Sequence, residues 1–271
     1  MTNNKQIVDE KNGVMIRVDK TLEEMVNEKP FSRIDAKYWH KKYDQFENVL
    51  KKINWPIEYL DEKNQLEILT GFKGVQPKKS NSGSIYYITS KNFKNTGLNL
   101  IDNPFLIDLN SKANTQRTQI KLNDILLVRS GEGSLGYVEI NSDPMLKANV
   151  RSEIYVIRIK HRINPYYLTL FLKSNFFGKQ QMWRIENGVG TPNLNKAEIS
   201  AIRIPMISKK IQSNIEKEYL KMNKFHKKAM EAKKNRSEKE YQKNIVIAEK
   251  MLNDLINKTE QVIRGERKDV V

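Results

Sequence analysis

Gly188-Val-Gly-Thr-Pro-Asn-Leu-Asn-Lys-Ala-Glu-Ile-Ser-Ala-Ile-Arg-Ile-Pro205 is the stretch on which the reading of this chain turns. Gly188, Gly190 and Pro192 spell a turn. Asn195 stands where a helix cap belongs, and Glu198 follows three residues on, a variant of the capping-box pattern. Residues 202–205 are apolar and strand-like, and Pro205, with no N–H to donate, closes them. Upstream the patterns are mixed. Downstream they are helical and charged. The stretch is therefore read as the joint between a globular head and a helical spacer.

Downstream, no glycine or proline occurs from 209 until Gly265. One continuous helix of that length would reach roughly 85 Å at 1.5 Å per residue. Apolar residues at 211, 215, 222, 225, 229 and 232, then at 241, 245, 248, 252, 255 and 262 with Thr259, follow a 3–4 spacing that marks a coiled-coil seam. The two sets are out of phase by about two residues, a slip a supercoil can absorb. Between them, 233–240 has no apolar residue. Ser237 with Glu240 could instead cap a second helix folded back on the first. With no Gly, Pro or turn cluster to reverse the chain, the continuous helix is preferred. Such a helix cannot bury its stripe alone. The seam, Ile211, Ile215, Met222, Phe225, Ile245, Leu252, Leu255 and Val262, is thus expected to pair antiparallel with a second copy or a second half-subunit.

Upstream, residues 1–30 are polar, with a short alternation at Val14, Ile16 and Val18. Residues 32–53 place apolar side chains at 39, 43, 46, 49, 50 and 53, which is helical spacing, and Trp55-Pro56 stops the run. From 57 to 160 the period changes to two. Strands are expected at 57–60, 66–69, 84–89, 125–128, 137–140 and 154–159, punctuated by Gly71, Gly74, Gly83, Gly97, Pro104 and the glycines of 131–136. Asn164-Pro165 opens a helix with Asn as cap and Pro at the first position. A second helical piece lies near 178–186. The fold class read from this is α+β: a curled mixed β-sheet with flanking helices over 1–208, including a lead-in over 1–55, then the long helix over 209–271.

Charge narrows the function. Lys and Arg total 48 against 32 Asp and Glu, a net of +16 over 271 residues, which attracts polyanions and makes nucleic acid the first partner to consider. The chain has no cysteine, so disulfides and thiolate metal sites are excluded. Its three histidines, His40, His161 and His226, are not spaced as ligands, and no metal is expected. No apolar run is long enough to span a membrane and no signal-peptide core stands at the N-terminus, so a soluble, cytoplasmic protein is expected.

No catalytic constellation emerges. Gly131-Glu-Gly-Ser-Leu-Gly136 has dinucleotide-loop spacing, but Tyr137-Val-Glu-Ile continues it as a strand where a phosphate-binding helix would be needed. It reads as a tight turn between strands. Asn164-Pro-Tyr-Tyr167 is like an amine-holding methyltransferase motif, but its place at a helix start explains it as a cap. No cofactor is expected. What remains is recognition. Head loops interleave cations with amides and hydroxyls: Lys73, Gln76, Lys78 and Lys79; Lys91; Arg117; Arg129 and Ser130; Arg151. Arg can fork onto guanine, Gln onto adenine, and Lys can neutralise phosphate.

Four segments in order resemble the DNA-specificity subunit of type I restriction–modification systems. Residues 32–43 are similar to the lead-in before many of its target-recognition domains. Leu122-Asn-Asp-Ile-Leu-Leu-Val-Arg-Ser-Gly131 is similar to a conserved strand, and 163–174 to the helix after the last central strand. The joint at 188–205 is similar to the family's most recognisable signature. The resemblance implies a non-catalytic subunit that reads one half of a split site in double-stranded DNA. Its helix would space two readers and dock methyltransferase subunits, with a restriction subunit joining through the complex. A full-length subunit carries two recognition domains and two long helices, and this sequence shows one of each, so a half-length form is expected. The competing readings are an autonomous methyltransferase or nuclease, and a basic coiled-coil scaffold without sequence-specific DNA binding.

Overall fold

In the computed structural model of the chain, the described residues are the strand backbones at 6–9 and 14–17, residues 21, 23, 25 and 27, and residues 37–61, 64–80, 82–187 and 191–271. Strands β1 (Gln6–Asp9) and β2 (Val14–Arg17) pair antiparallel, where the alternation at Val14 and Ile16 pointed. Val18, residues 32–36 and residues 188–190 lie outside the described residues.

The amphipathic segment expected from 32 becomes helix α1 only at Asp44–Lys52, after a 3-10 turn over Lys41–Tyr43. Phe46 and Leu50 form its buried face. Tyr38 and Trp39 sit in a turn because a tertiary contact claims them. Arg184 donates from Nε to the Tyr38 carbonyl at 2.9 Å, and its guanidinium lies 4.2 Å from the Tyr38 ring centre and 5.9 Å from that of Trp39.

The central sheet has the order β4-β10-β7-β8, made of Leu66–Thr70, Ile154–Ile159, Ile125–Val128 and Val138–Ile140, all antiparallel. β7 is buried on both faces, which is why it reads as an unbroken apolar run. Ile125 and Leu127 enter the main core under the helices, while Leu126 and Val128 enter a second core against a smaller sheet. That sheet has the order β6-β5-β9, made of Leu106–Ile107, Ile85–Ile88 and Ala148–Val150, with β5 and β9 parallel. β6 and β9 span two and three residues, too few to show a period. The sheets meet at a corner where Phe72 bridges Arg151 and Arg151 N donates to the Ile88 carbonyl at 3.0 Å. A Cβ on Gly71 would stand 2.1 Å from the Arg151 carbonyl oxygen, so only glycine lets the strands approach this closely. A curled arrangement of short strands was the expectation, and this is its form.

Helix α2 (Pro165–Lys173) starts as read. Asn164 Oδ1 accepts from the N–H groups of Tyr166 at 2.9 Å and Tyr167 at 3.3 Å, with proline at the first position. After a π-helical turn over Asn175–Lys179 comes α3 (Gln180–Ile185). The capping box at Asn195 and Glu198 forms, with bonds of 3.0 and 2.7 Å, and opens α4 (Lys196–Ser200). Strand β11 (Arg203–Pro205) then pairs with β3 (Ile57–Tyr59).

The C-terminal segment corrects the sequence reading. It is not one helix but two, α5 (Lys209–Lys234) and α6 (Glu238–Arg264), packed antiparallel as a hairpin. Asn214 near the start of α5 bonds Asp269, just past the end of α6, at 2.8 Å. Helix α5 ends in a Schellman motif with Arg236 at φ 58°, where Ser237 N reaches the Ala232 carbonyl at 2.9 Å and Arg236 N reaches that of Lys233 at 3.1 Å. The Ser237 side chain makes no cap bond, so the capping box considered at Ser237 is not what starts α6. The phase slip between the two apolar sets is the mark of two helices facing each other, not of a strained supercoil.

The expected dimer seam is accordingly internal. Ile211, Ile215, Met222, Leu252, Leu255 and Val262 are buried within the single chain, and Phe225 is partly buried against the same core. Ile245 is half-buried and lines a cavity. The hairpin does not project as a rod. Trp55 Nε1 donates to the Val262 carbonyl at 3.1 Å, the Arg264 guanidinium lies 4.0 Å from the Phe176 ring centre, and Asn223 reaches Ser142 at 2.7 Å. One hydrophobic core includes side chains on both sides of residue 208.

Candidate nucleic-acid interface

One end of the central sheet gathers the ends of β4 and β7 and the start of β10, because these strands alternate in direction. The loops at 71–84, 129–137 and 151–153 therefore emerge together. The signature segment closes over the same end. Asn187 and Asn193 exchange backbone bonds of 2.8 and 2.7 Å, Gly131 N donates to the Pro192 carbonyl at 3.3 Å, and Leu194 N to that of Arg129 at 2.8 Å. The glycine-rich loop is a turn between β7 and β8, with Gly131, Gly133 and Gly136 at φ 133°, 72° and 80°. These are conformations that side chains with a Cβ rarely adopt.

Arg129, one of the expected DNA-contacting residues, makes bonds within the chain. It donates from Nε to the Ser152 carbonyl at 3.0 Å and from Nη1 to Asn193 Oδ1 at 2.7 Å, with its guanidinium 5.2 Å from the Tyr155 ring centre. It clamps the signature segment to the sheet. Ser130 bridges Asn193 through its backbone. Gln76, though exposed, also bonds within the chain: Nε2 donates to the Gly74 carbonyl at 3.2 Å and Oε1 accepts from the Tyr87 hydroxyl at 3.0 Å. Burial, reinforced by Glu153 and opposed by Arg151, pushes that hydroxyl's pKa up to about 12.

The cations that face outward are Lys73, Lys78, Lys79, Arg117 and Arg151. Arg151 shares its corner with Phe72, and Glu153 stands 3.5 Å from its Nε. Arg117 is fixed through its carbonyl, which accepts from Arg158 Nη1 at 3.1 Å. Sequence reasoning missed Lys196, the first residue of α4, because it reads as an ordinary helix start. Its ammonium is held below its usual range by burial first, then by the nearby charges of Arg117 and Lys73, with Glu67 opposing. Lys196 thus feels the charge of two cations from distant segments, an electrostatic cost that a bound polyanion would relieve. Lys91 stands apart. It lines a cavity of about 1010 Å³ between head and hairpin, together with Lys94, Lys173, His226 and Glu249.

That cavity holds the other electrostatic feature. Glu139, 1% exposed, accepts from Lys173 Nζ at 2.5 Å, and burial raises its pKa to about 7 against the pull of that lysine. The amine-holding motif is occupied by structure: Asn164 caps α2 and donates to Glu216 at 2.6 Å, while the Tyr167 hydroxyl donates to the Pro205 carbonyl at 2.5 Å. Among the described residues, no group of three or more His, Asp or Glu is placed to hold a metal ion, and no helix is long and apolar enough to cross a membrane.

Among solved structures, the chain is similar to the S subunit of a type I restriction–modification system from M. genitalium, with 14% identity over 67% of this chain and 41% of that one, at a TM-score of 0.44. It is similar to the HsdS subunit from Thermoanaerobacter tengcongensis, with 11% identity over 82% of this chain and 50% of that one, at a TM-score of 0.43. A third similar chain comes from a structure addressing complex assembly and conformational transition of the type I R-M system: 10% identity, 79% and 51% covered, TM-score 0.47. The chain spans about half the length of these proteins. No curated protein matches it. Residues 66–239, from β4 into the first turn of α6, match the Type I restriction modification DNA specificity domain, and the chain belongs to that family.

Proposed function

We propose that the chain is a non-catalytic DNA-reading subunit. Its sheet-end loops read one half of a bipartite site in double-stranded DNA, and its helical hairpin docks the methyltransferase subunits that carry the chemistry. A restriction subunit joins through the assembled complex. The observation that carries this reading is the family match over residues 66–239, in a chain whose exposed Lys73, Lys78, Lys79 and Arg151 sit on loops that leave one end of the central sheet. Arg129 then serves as a positioning residue, holding the signature segment against the loops that face DNA. A bipartite site needs a second reader, supplied by a second copy or by a different half-length chain. Because the apolar seam of the hairpin is internal, that pairing uses other surfaces.

The test is selection from a random duplex library by the full chain with its co-purifying partners, joined to methylome sequencing of cells that carry it. The expected result is one split motif methylated on adenine. A symmetric motif assigns the second reader to another copy, and two unrelated half-sites assign it to a different partner. Absence of any sequence preference would overturn the reading. So would methylation or cleavage of DNA by the purified chain alone.

A further inference from the structure

The loop between β4 and β5 displays an apolar side chain to water. Val75 is 94% exposed, more than any other large hydrophobic residue described. Single exposed apolar residues are common on protein surfaces. Here the loop beneath the residue is also strapped down. A Cβ on Gly74 would come within 2.5 Å of the Phe72 ring, so that ring lies directly under the loop. The Phe72 backbone is bridged to Arg151. On the other side of Val75, Gln76 bonds the Gly74 carbonyl and the Tyr87 hydroxyl. Tyr87 is buried and packs against Phe105, with ring centres 5.5 Å apart. Gln76 therefore ties the loop to Tyr87 of β5, and Gly74 is held to Gln76 and lies close over the Phe72 ring. Exposed Lys73, Lys78 and Lys79 lie on the same loop.

A fixed apolar tip framed by cations fits a surface that offers phosphates on both sides and an apolar group between them. In the major groove of duplex DNA that group is the C5 methyl of thymine, the one apolar mark among the base edges. Valine is shorter than the side chains that wedge between base steps and kink the minor groove. A pre-set loop loses little conformational freedom on binding.

We propose that Val75 is a specificity-determining residue whose isopropyl group contacts a thymine methyl, while Lys73, Lys78 and Lys79 neutralise flanking phosphates. The inference rests on the duplex-reading function proposed above.

The experiment starts from the sequence that the full chain selects. Each thymine of that site is replaced singly by deoxyuridine, which removes only the methyl group, and affinities are measured for the wild type and for Val75→Ala. At one thymine, the wild type should lose about fourfold in affinity, the value of one methyl group against an apolar partner. Val75→Ala should start weaker on the intact site and lose nothing further at that position, with its affinity for unrelated duplex unchanged. Lys73→Ala, by contrast, should weaken binding to all duplexes alike. The inference is overturned if no thymine is sensitive, or if Val75→Ala keeps the wild-type sensitivity. It is also overturned if Val75→Ala loses a co-purifying protein while selecting the same DNA sequence with equal affinity, which would assign the tip to a protein contact. A wild type without sequence preference would overturn the duplex-reading function itself, and this inference with it.

Discussion

Glu139 and His226 are two buried titratable residues lining one cavity, and they pull stability in opposite directions with pH. His226 sits against Thr96, whose hydroxyl is 2.9 Å from Nδ1, and burial, aided by Lys173 and Lys227, lowers its pKa from 6.5 to about 4 against a bond to the Leu98 backbone. Between those values the unfolded chain binds the extra proton, so the stability supplied by neutral His226 is present above pH 6.5 and lost as pH falls towards 4. Glu139, raised from 4.5 to about 7, holds in the folded chain a proton that the unfolded chain has released, so its effect is lost stability as pH rises through that window. Each full window is worth about 3 kcal/mol, so the two nearly offset one another in the wild type. Urea midpoints should then be nearly flat from pH 4.5 to 6.5 in the wild type. They should fall towards acid in Glu139→Gln and fall towards neutral pH in His226→Asn. Parallel profiles for the two variants would contradict the assignment. Residue roles were legible where the partner is close in sequence, as for Asn164 and for Asn195 with Glu198. The internal partners of Arg129 were not legible because Asn193 and Ser152, which take its donors, are 64 and 23 residues away.

At the scale of elements, α5 and α6 end in the same way. Gly265 at φ 80° closes α6 with bonds from Gly265 N to Val262 at 3.1 Å and Glu266 N to Gln261 at 2.9 Å, the same Schellman pattern as at Arg236. Glycine announces that motif in a sequence and arginine hides it, which is why the hairpin read as one helix. A left-handed non-glycine residue costs about 1 kcal/mol or more, offset here by the apolar faces that α5 and α6 bury against each other and the head. Arg236→Gly should therefore stabilise the chain by about 1 kcal/mol, read as a higher urea midpoint. Were the helix continuous, the same change would destabilise by a similar amount. The strands of the central sheet were legible from alternation or, as in β7, from a short unbroken apolar run. The short β6 and β9 were not, since β9 pairs at the corner of Gly71 and Arg151 and β6 pairs beside Gly83, close approaches that no local pattern encodes.

For the whole molecule, the distribution of charge decides how it meets a duplex. Each cation that neutralises a phosphate contributes about 0.9 to the slope of log affinity against log salt. Removing Lys73, Arg117 and Lys196 together should therefore lower the slope by about 3 in a salt titration of duplex binding. An unchanged slope would move the interface to another face. The net charge of +16 made a polyanion partner legible, but which cations share a face depends on strand order. The continuity of the core across residue 208 has a consequence for synthesis. Ile163, Tyr166 and Tyr167 of the head share that core with Ile215, Tyr219, Leu252 and Val262 of the hairpin. The hairpin is synthesised after the head, so the core they share cannot close until residues 209–264 have left the ribosome. A chain stopped at 208 should accordingly bind the dye ANS and lack a cooperative melt. Head and hairpin then fold and melt as one unit, with no stage at which the sheets stand finished and the hairpin does not.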